Sequence, residues 1–510
     1  MNKSILSVGV LAILSLSLAN VAKADIKQQN NPWYKAGQAF VVDKLKQQTK
    51  LKAKNVILFV GDGMSIATLT AARIFAGQQH GKTGEENLLF FETFPNTALV
   101  KTYNTDAQVP DSAGTATAMV SGIKTDEGVL GVNENVEKGK CETLKGNEVV
   151  TILELAENNG LATGIVSTAR VTHATPGANY AKTPDRSWED NAKLPEDAIG
   201  KCEDIASQLV NFANNTERLG FGQSDGIDVV MGGGRRHFLP KEEKGKRTDA
   251  RNLINEWQKL YADGVYVADQ KALDSLDTEK THKLLGLFSP SHMSYAADHA
   301  NHPEQPSLSE MTKKAIQILH NNPKGFYLMV EGGRIDHAHH AGNAYAALTD
   351  TVEFANAVRV AYENTNPQET LILVTADHGH VMTIGGYPKR GNPILGKVVD
   401  AGKSTASKAG DGKPYTTINY TNGRGMMDLG EETDADKGYQ QDINAGRRDL
   451  THIDTTRPGY HQEALIPRKS ETHSGEDVAL FATGPASQLV RGTMEQSVIF
   501  HIMNKALFDK

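Results

Sequence analysis

Gly325-Phe326-Tyr327-Leu328-Met329-Val330 runs straight into Glu331-Gly332-Gly333-Arg334-Ile335-Asp336-His337-Ala338-His339-His340. The first six residues have the length and apolar composition of a buried strand. The next ten bring a carboxylate, two glycines, a second carboxylate and three imidazoles to its carboxyl end. In open α/β sheets that is where ligands are held. Asp336 and His340 are four apart, so one helical turn would put an oxygen and a nitrogen donor on one face. Alone, the stretch reads equally well as a polar loop with hydrated histidines.

Two further apolar runs end in the same way. Lys54-Asn55-Val56-Ile57-Leu58-Phe59-Val60 leads into Gly61-Asp62-Gly63-Met64, and Glu369-Thr370-Leu371-Ile372-Leu373-Val374-Thr375 into Ala376-Asp377-His378-Gly379-His380. Continuous apolar runs of this kind belong to strands buried on both faces. Residues 161–167, 227–231 and 478–482 also read as strands. Helical period marks 65–76, 148–157, 203–214, 251–261, 307–319, 343–362 and 494–508, while 235–305 reads as polar and irregular. Strands alternating with helices predict one large α/β domain, its central and mostly parallel sheet sandwiched by helices. From about 387 to 460 the composition turns to Gly, Lys, Asp, Thr and Asn, which reads as a long loop insertion within that domain.

A chain of 510 residues, 39% hydrophobic and 23% charged, has the balance of an ordinary globular protein. Its formal net charge of −7 is not that of a nucleic-acid binder. Lys3, the apolar run Ile5 to Leu18 and Ala22-Lys23-Ala24 make a signal peptide over residues 1–24, cleaved after Ala24. That leaves a domain of residues 25–510 in the periplasm or the medium. No stretch is long enough to span a membrane. The two cysteines, Cys141 and Cys202, favour a disulfide closing a long loop in such a compartment; the alternative, a thiolate metal site, lacks its usual ligand spacing.

Pro110-Asp111-Ser112-Ala113-Gly114-Thr115 puts Ser112 near a helix start, where free N–H groups favour an anion. The plainer reading makes Asp111 or Ser112 a helix cap. No histidine is near in sequence, so activation of this serine has to come from elsewhere in the fold, a metal ion being one source. Ligand types recur at Asp62, at Glu331 with Asp336 and His340, at Asp377 with His378, and at His473. Mixed oxygen and imidazole donors suit zinc, all-oxygen sets magnesium. The recurrence predicts a multinuclear metal site.

The stretches VGDGM (60–64), PDSAGTATA (110–118), VEGGRIDHAHH (330–340), VTADHGH (374–380) and THSGEDVALF (472–481) closely resemble the alkaline phosphatase family, and in EGGRIDH especially its animal members. The likeness runs through nearly the whole chain after residue 24. It implies hydrolysis of phosphate monoesters at alkaline pH through a phosphoserine on Ser112, usually by a homodimer. It implies two Zn2+, one on Asp336, His340 and His473 and one on Asp62, Asp377 and His378. It implies one Mg2+ on Asp62, Thr175 and Glu331. Arg186, in Arg186-Ser187-Trp188, is then the phosphate-binding arginine, with His173 and His337 near magnesium and phosphate. Cys141 and Cys202 match a disulfide of the animal enzymes.

Two departures from the pattern matter. Ser289 and Gln305 stand where the animal enzymes carry acidic calcium ligands, so no calcium is expected there. The 387–460 loop is long, and in this family such loops often reach across a dimer interface. A phosphodiesterase or sulfatase of the same superfamily is the nearest rival, but those usually use Thr or a modified Cys as nucleophile. Ser112, with Thr175 and Glu331, favours monoesters. An exported zinc-storage protein would carry a His-rich tract, which this sequence lacks.

Overall fold

Val56 to Val60 are wholly buried, so β1 (Asn55–Gly61) has no solvent face and must lie inside a covered sheet. The computed structural model describes residues 51–444 and 446–508, and the segment read as a signal peptide lies outside them. With β1 the sheet contains β2 (Asn96–Lys101), β3 (Ala162–Arg170), β4 (Val229–Gly233), β5 (Val265–Val267) and β6 (Leu284–Ser289). It is completed by β7 (Phe326–Gly332), β8 (Thr370–Ala376), β9 (Val478–Thr483) and β10 (Gly492–Glu495). The strand order is β10-β2-β9-β8-β1-β7-β3-β4-β6-β5. Every neighbouring pair is parallel except those of β9, which runs antiparallel to both β8 and β2.

Helices flank the sheet in two sets. In the first, α1 (Ile66–Gln79) is capped by Ser65, whose side chain accepts from Thr68 N. Next in the chain is α2 (Ser112–Ser121), which belongs to the second set. The first set continues with α3 (Leu308–Leu319), begun by a Ser307/Glu310 capping box, and α5 (Ala344–Glu363), capped by Asn343. Between them in the chain lies α4 (Arg334–Ala341). Helix α5 packs on α1, α3 and α4, and Phe354 sets its ring edge-on to Phe59 at 5.7 Å between centroids. In the second set α2 and α6 (Val498–Leu507) pack together, with α6 also against β1.

Several elements differ from their sequence reading for local reasons. Residues 235–305 contain β6, whose six residues are all buried, and the short β5 at the sheet edge. The last helix begins at Val498; Met494 and Glu495 instead pair with Val100 and Lys101 as part of β10. The helix read over 203–214 breaks at Asn211 into Ile205–Val210 and Phe212–Arg218. The one read from 148 starts only after Thr151, because Glu148 is drawn into a bridge with Val132. Within 387–460, Ile418–Gly423 pairs with Met382–Ile384 on one side and Ala464–Pro467 on the other, a three-stranded ribbon outside the main sheet. Cys141 and Cys202 form the disulfide, their Cα atoms 5.9 Å apart and 61 residues apart in sequence.

Candidate functional site

Register fixes the site. Gly61 of β1 lies opposite Gly332 of β7 and Ala376 of β8, so the three central strands end level. Asp62, Asp377 and the Gly333 turn follow at once, with Glu331 on the last turn of pleat inside β7. The carboxylates are thus gathered at the carboxyl edge by strand pairing alone. Gly63 turns the chain at φ +72°, and its N–H donates to Asp377 Oδ1 at 2.9 Å. A Cβ there would lie 2.4 Å from the His380 ring, so no other residue fits.

Helix α4 supplies the i, i+4 pair: His340 Nε2 stands 3.3 Å from Asp336 Oδ1. His473, on a two-residue ribbon paired with Gly379–His380, brings its Nε2 to 3.3 Å from that same oxygen and 3.1 Å from His340 Nε2. One layer deeper, His378 Nε2 lies 3.3 Å from Asp377 Oδ2 and 3.6 Å from Asp62 Oδ1. Ser112, the first residue of α2 after the Asp111 cap, places Oγ 3.1 Å from His378 Nε2. Donor atoms of Asp336, His340, His380 and His473 fall within 4.8 Å of one another, as do those of Asp62, Asp377 and His378, and of Asp62, His173 and Glu331. Thr175, on the short helix after β3, is buried with its hydroxyl unpartnered.

The tautomers show what the pockets want. His340 Nδ1 donates to Glu471 O at 2.6 Å, His473 Nδ1 to Pro110 O at 2.8 Å, and His378 Nδ1 to Gly379 O at 3.3 Å. A carbonyl can only accept, so Nδ1 carries the proton and the lone pair of the neutral imidazole form lies on Nε2. Those lone pairs face carboxylate oxygens and, between His340 and His473, each other. Both oxygens of Asp62, Asp377 Oδ2, Glu331 Oε1 and Thr175 Oγ1 are buried with no hydrogen-bond partner. Acceptors aimed at acceptors in a buried space are stable only around cations. The residues therefore fit metal ions.

The electrostatics agree. Burial, then the neighbouring Asp377 and Asp336, pushes the Asp62 carboxyl well above its usual range, and burial takes Glu331 to about 7. Against burial, His340, His380 and His473 hold Asp336 well below it. Burial and the Arg334 charge depress His337 to about 3, and burial with Arg186 and Arg170 keeps His173 neutral. Arg186 donates Nη1 to Asp111 Oδ2 at 2.9 Å and Nη2 to His173 Nε2 at 3.3 Å, beside the serine. A cleft of about 730 Å³, lined by Pro110, Asp111, His340, Glu471 and His473 among others, opens over the centre.

All the residues singled out in the sequence for metal or phosphate converge here, His337 through contact with His173 at 5.6 Å between rings. Sequence reading gave no role to His380. It is wholly enclosed, with Nε2 2.7 Å from Asp336 Oδ1 and Nδ1 2.5 Å from Glu471 Oε2. Against burial, those two carboxylates raise it to about 10. His339, also without a role, bonds Thr68 and Tyr420 and stacks on His380 at 4.8 Å. The second histidine of ADHGH was the only signal for this layer.

Comparison with known proteins extends the match to the whole chain. The alkaline phosphatase family profile fits residues 53–508. The tissue-nonspecific alkaline phosphatase of Gallus gallus is 42% identical, over 96% of this chain and 93% of the relative. The alkaline phosphatase of Gadus morhua is 44% identical, over 90% of this chain and 92% of the relative. In fold the chain is similar to the Thermus thermophilus alkaline phosphatase, at a TM-score of 0.63 and 23% identity, covering 92% of this chain and 94% of that one. Matches of this extent, around a centre that calls for cations, put the chain in the alkaline phosphatase family of metal-dependent phosphate monoester hydrolases.

Proposed function

We propose that Asp336, His340 and His473 hold one zinc ion, that Asp62, Asp377 and His378 hold a second, and that Asp62, Thr175 and Glu331 hold magnesium. The observation that carries this reading is the set of three Nε2 lone pairs turned toward carboxylate oxygens, of which Asp62 Oδ1 and Asp377 Oδ2, beside His378, have no hydrogen-bond partner. When bound, such ions favour the alkoxide form of a nearby hydroxyl and offset charge on phosphoryl oxygens, where most of the catalysis of phosphoryl transfer lies.

The chain's own groups set the rest. Ser112 gives up its hydroxyl proton to solvent and its Oγ attacks phosphorus in line; the Oγ–P bond forms, the ester P–O bond breaks, and the leaving alkoxide takes a proton from water. Water then attacks the phosphoserine, its oxygen bonds to phosphorus as the P–Oγ bond breaks, one of its protons returns to Oγ, and Ser112 is regenerated with release of inorganic phosphate. The start of α2 offers backbone N–H groups to the phosphoryl oxygens. Arg186 is kept in place by Asp111 and presents a planar fork to two of those oxygens.

Acid quench during turnover of a labelled aryl phosphate should trap label on Ser112, and dialysis against chelator should abolish turnover. Normal turnover by Ser112→Ala, or turnover that survives chelation, would defeat the assignment. Export through the leader of residues 1–24 accords with the Cys141–Cys202 bridge, which is stable in an oxidising compartment. We also take the working form to be a homodimer joined through the 387–460 region, where Tyr387 stands 89% exposed. No calcium is assigned near Ser289 and Gln305; Ser289 Oγ donates to His292 O, and Gln305 Oε1 accepts from Ser294 N.

A further inference from the structure

His173, His292 and His337 meet beside the centre in a cluster of their own. His292 comes from the loop after β6. Its ring centroid lies 4.0 Å from that of His337 and 5.3 Å from that of His173. One nitrogen from each ring lies within 4.8 Å of the other two. In all three rings Nδ1 is buried with no hydrogen-bond partner. Three half-buried imidazoles, each with a buried and unused nitrogen, are either a costly accident of packing or a tripod.

We propose that His173, His292 and His337 form an additional site for a divalent transition-metal ion, Zn2+ or Co2+, whose remaining position is filled by water. Zinc–imidazole bonds of about 2.0–2.1 Å put the nitrogens of a tetrahedral site about 3.4 Å apart, so ring movements of about one ångström close the tripod. A donor set of three imidazoles with no carboxylate favours zinc, cobalt or copper over magnesium and calcium. None of the three guanidinium groups nearby presents bare charge: Arg334 is paired with Asp436 at 2.8 Å. Arg170 is paired with both oxygens of Glu189 at 2.7 Å, and Arg186 with Asp111 at 2.9 Å.

The same contacts tie this site to phosphate binding. Arg170 bonds His292 Nε2, and Arg186 bonds His173 Nε2 at 3.3 Å. A neutral imidazole has one lone pair. A ring that takes the ion therefore gives up its guanidinium, and an ion seated here releases Arg186 from His173. This coupling rests on Arg186 being the phosphate-binding residue, whereas the metal site itself does not. Excess zinc should then raise KM several-fold with little change in kcat.

Two measurements test this. Crystals of the zinc- and magnesium-loaded protein, soaked in millimolar zinc, are measured on both sides of the zinc absorption edge. The expected result is an anomalous peak among the three imidazoles, absent in His292→Ala while the peaks at the Asp and His clusters remain. An empty tripod in the unaltered protein overturns the proposal, as does a peak held by His173, Asp62 and Glu331 with His292 uninvolved. In solution, KM for an aryl phosphate is followed against added zinc. The rise should vanish in His292→Ala; a rise of the same size in the variant, or none in the unaltered protein despite the tripod peak, overturns the link to Arg186.

Discussion

Replacing His380 by alanine strikes the contact that holds Asp336. The ring is an enclosed cation between two carboxylates, 2.7 Å from Asp336 and 2.5 Å from Glu471. Its pKa is raised from 6.5 to about 10. At about 1.4 kcal/mol per pH unit this difference is worth about 5 kcal/mol. A second route agrees: removing one partner of a buried ion pair costs about 3–5 kcal/mol. Because the folded-state pKa is raised, the contribution is complete below pH 6.5 and is lost as pH climbs through about 10. Urea unfolding of the metal-free proteins should therefore show a gap of about 3–5 kcal/mol at pH 6 that has largely closed by pH 10.5. In the metal-loaded protein Asp336 loses its orientation, and chelator competition should show zinc held about 10–100-fold more weakly. A gap that is absent at pH 6, or equally large at both pH values, would refute the view of His380 as a buried cation. Unchanged zinc affinity would refute its role in positioning Asp336.

Arg186→Lys keeps the charge but loses the fork, so kcat/KM for an aryl phosphate should fall about 10–100-fold, the loss of one charge-assisted hydrogen bond. Reducing the Cys141–Cys202 bridge, or replacing both residues by serine, frees a 61-residue separation and should cost about 4 kcal/mol of unfolding free energy, read from urea midpoints. Glu157 is raised to about 8 by burial and by Asp228, while Ser224 and Thr163 donate to it. Its raised pKa means stability present below pH 4.5 is lost up to about pH 8, so the unaltered protein should lose up to about 5 kcal/mol over that range. Glu157→Gln should flatten the profile, and an unchanged slope would exclude Glu157 as its source.

The centre was legible because its proposed ligands follow the most readable elements. β1, β7 and β8 are buried on both faces, which forces unbroken apolar runs, and their ligands come within a residue or two of the strand end. Elements with less burial left weaker traces. β2 alternates exposed and buried residues over only six positions, and β10 has no buried residue, so its sequence was free to read as the start of α6. β6 is apolar enough to read as a strand, but the polar loops on either side of it masked the run. The roles of His380 and His292 escaped the sequence reading for a different reason. His380 depends on Glu471, 91 positions away, and His292 reaches the centre through an irregular loop, so neither role has a local pattern. Sequence shows which residues close an element; it does not show which distant residues hold them.

The same physics links the centre to an alkaline working range. Asp62, Glu331 and Asp377 are buried together, and burial with mutual repulsion pushes all three carboxyls up. Without cations such a pocket lowers its free energy by retaining protons. Cations and protons thus compete for the same oxygens, and each ion bound displaces protons as it enters. On the proposed assignment rising pH would remove the competitor, so metal occupancy and the ionised form of Ser112 would increase together. His340 and His378 are already fixed by backbone carbonyls and kept neutral by burial, so they need no proton removed to serve. On the proposed ligand assignment the acidic limit of activity is expected to be set by the clustered carboxylates, since burial keeps His340 and His378 neutral well below it.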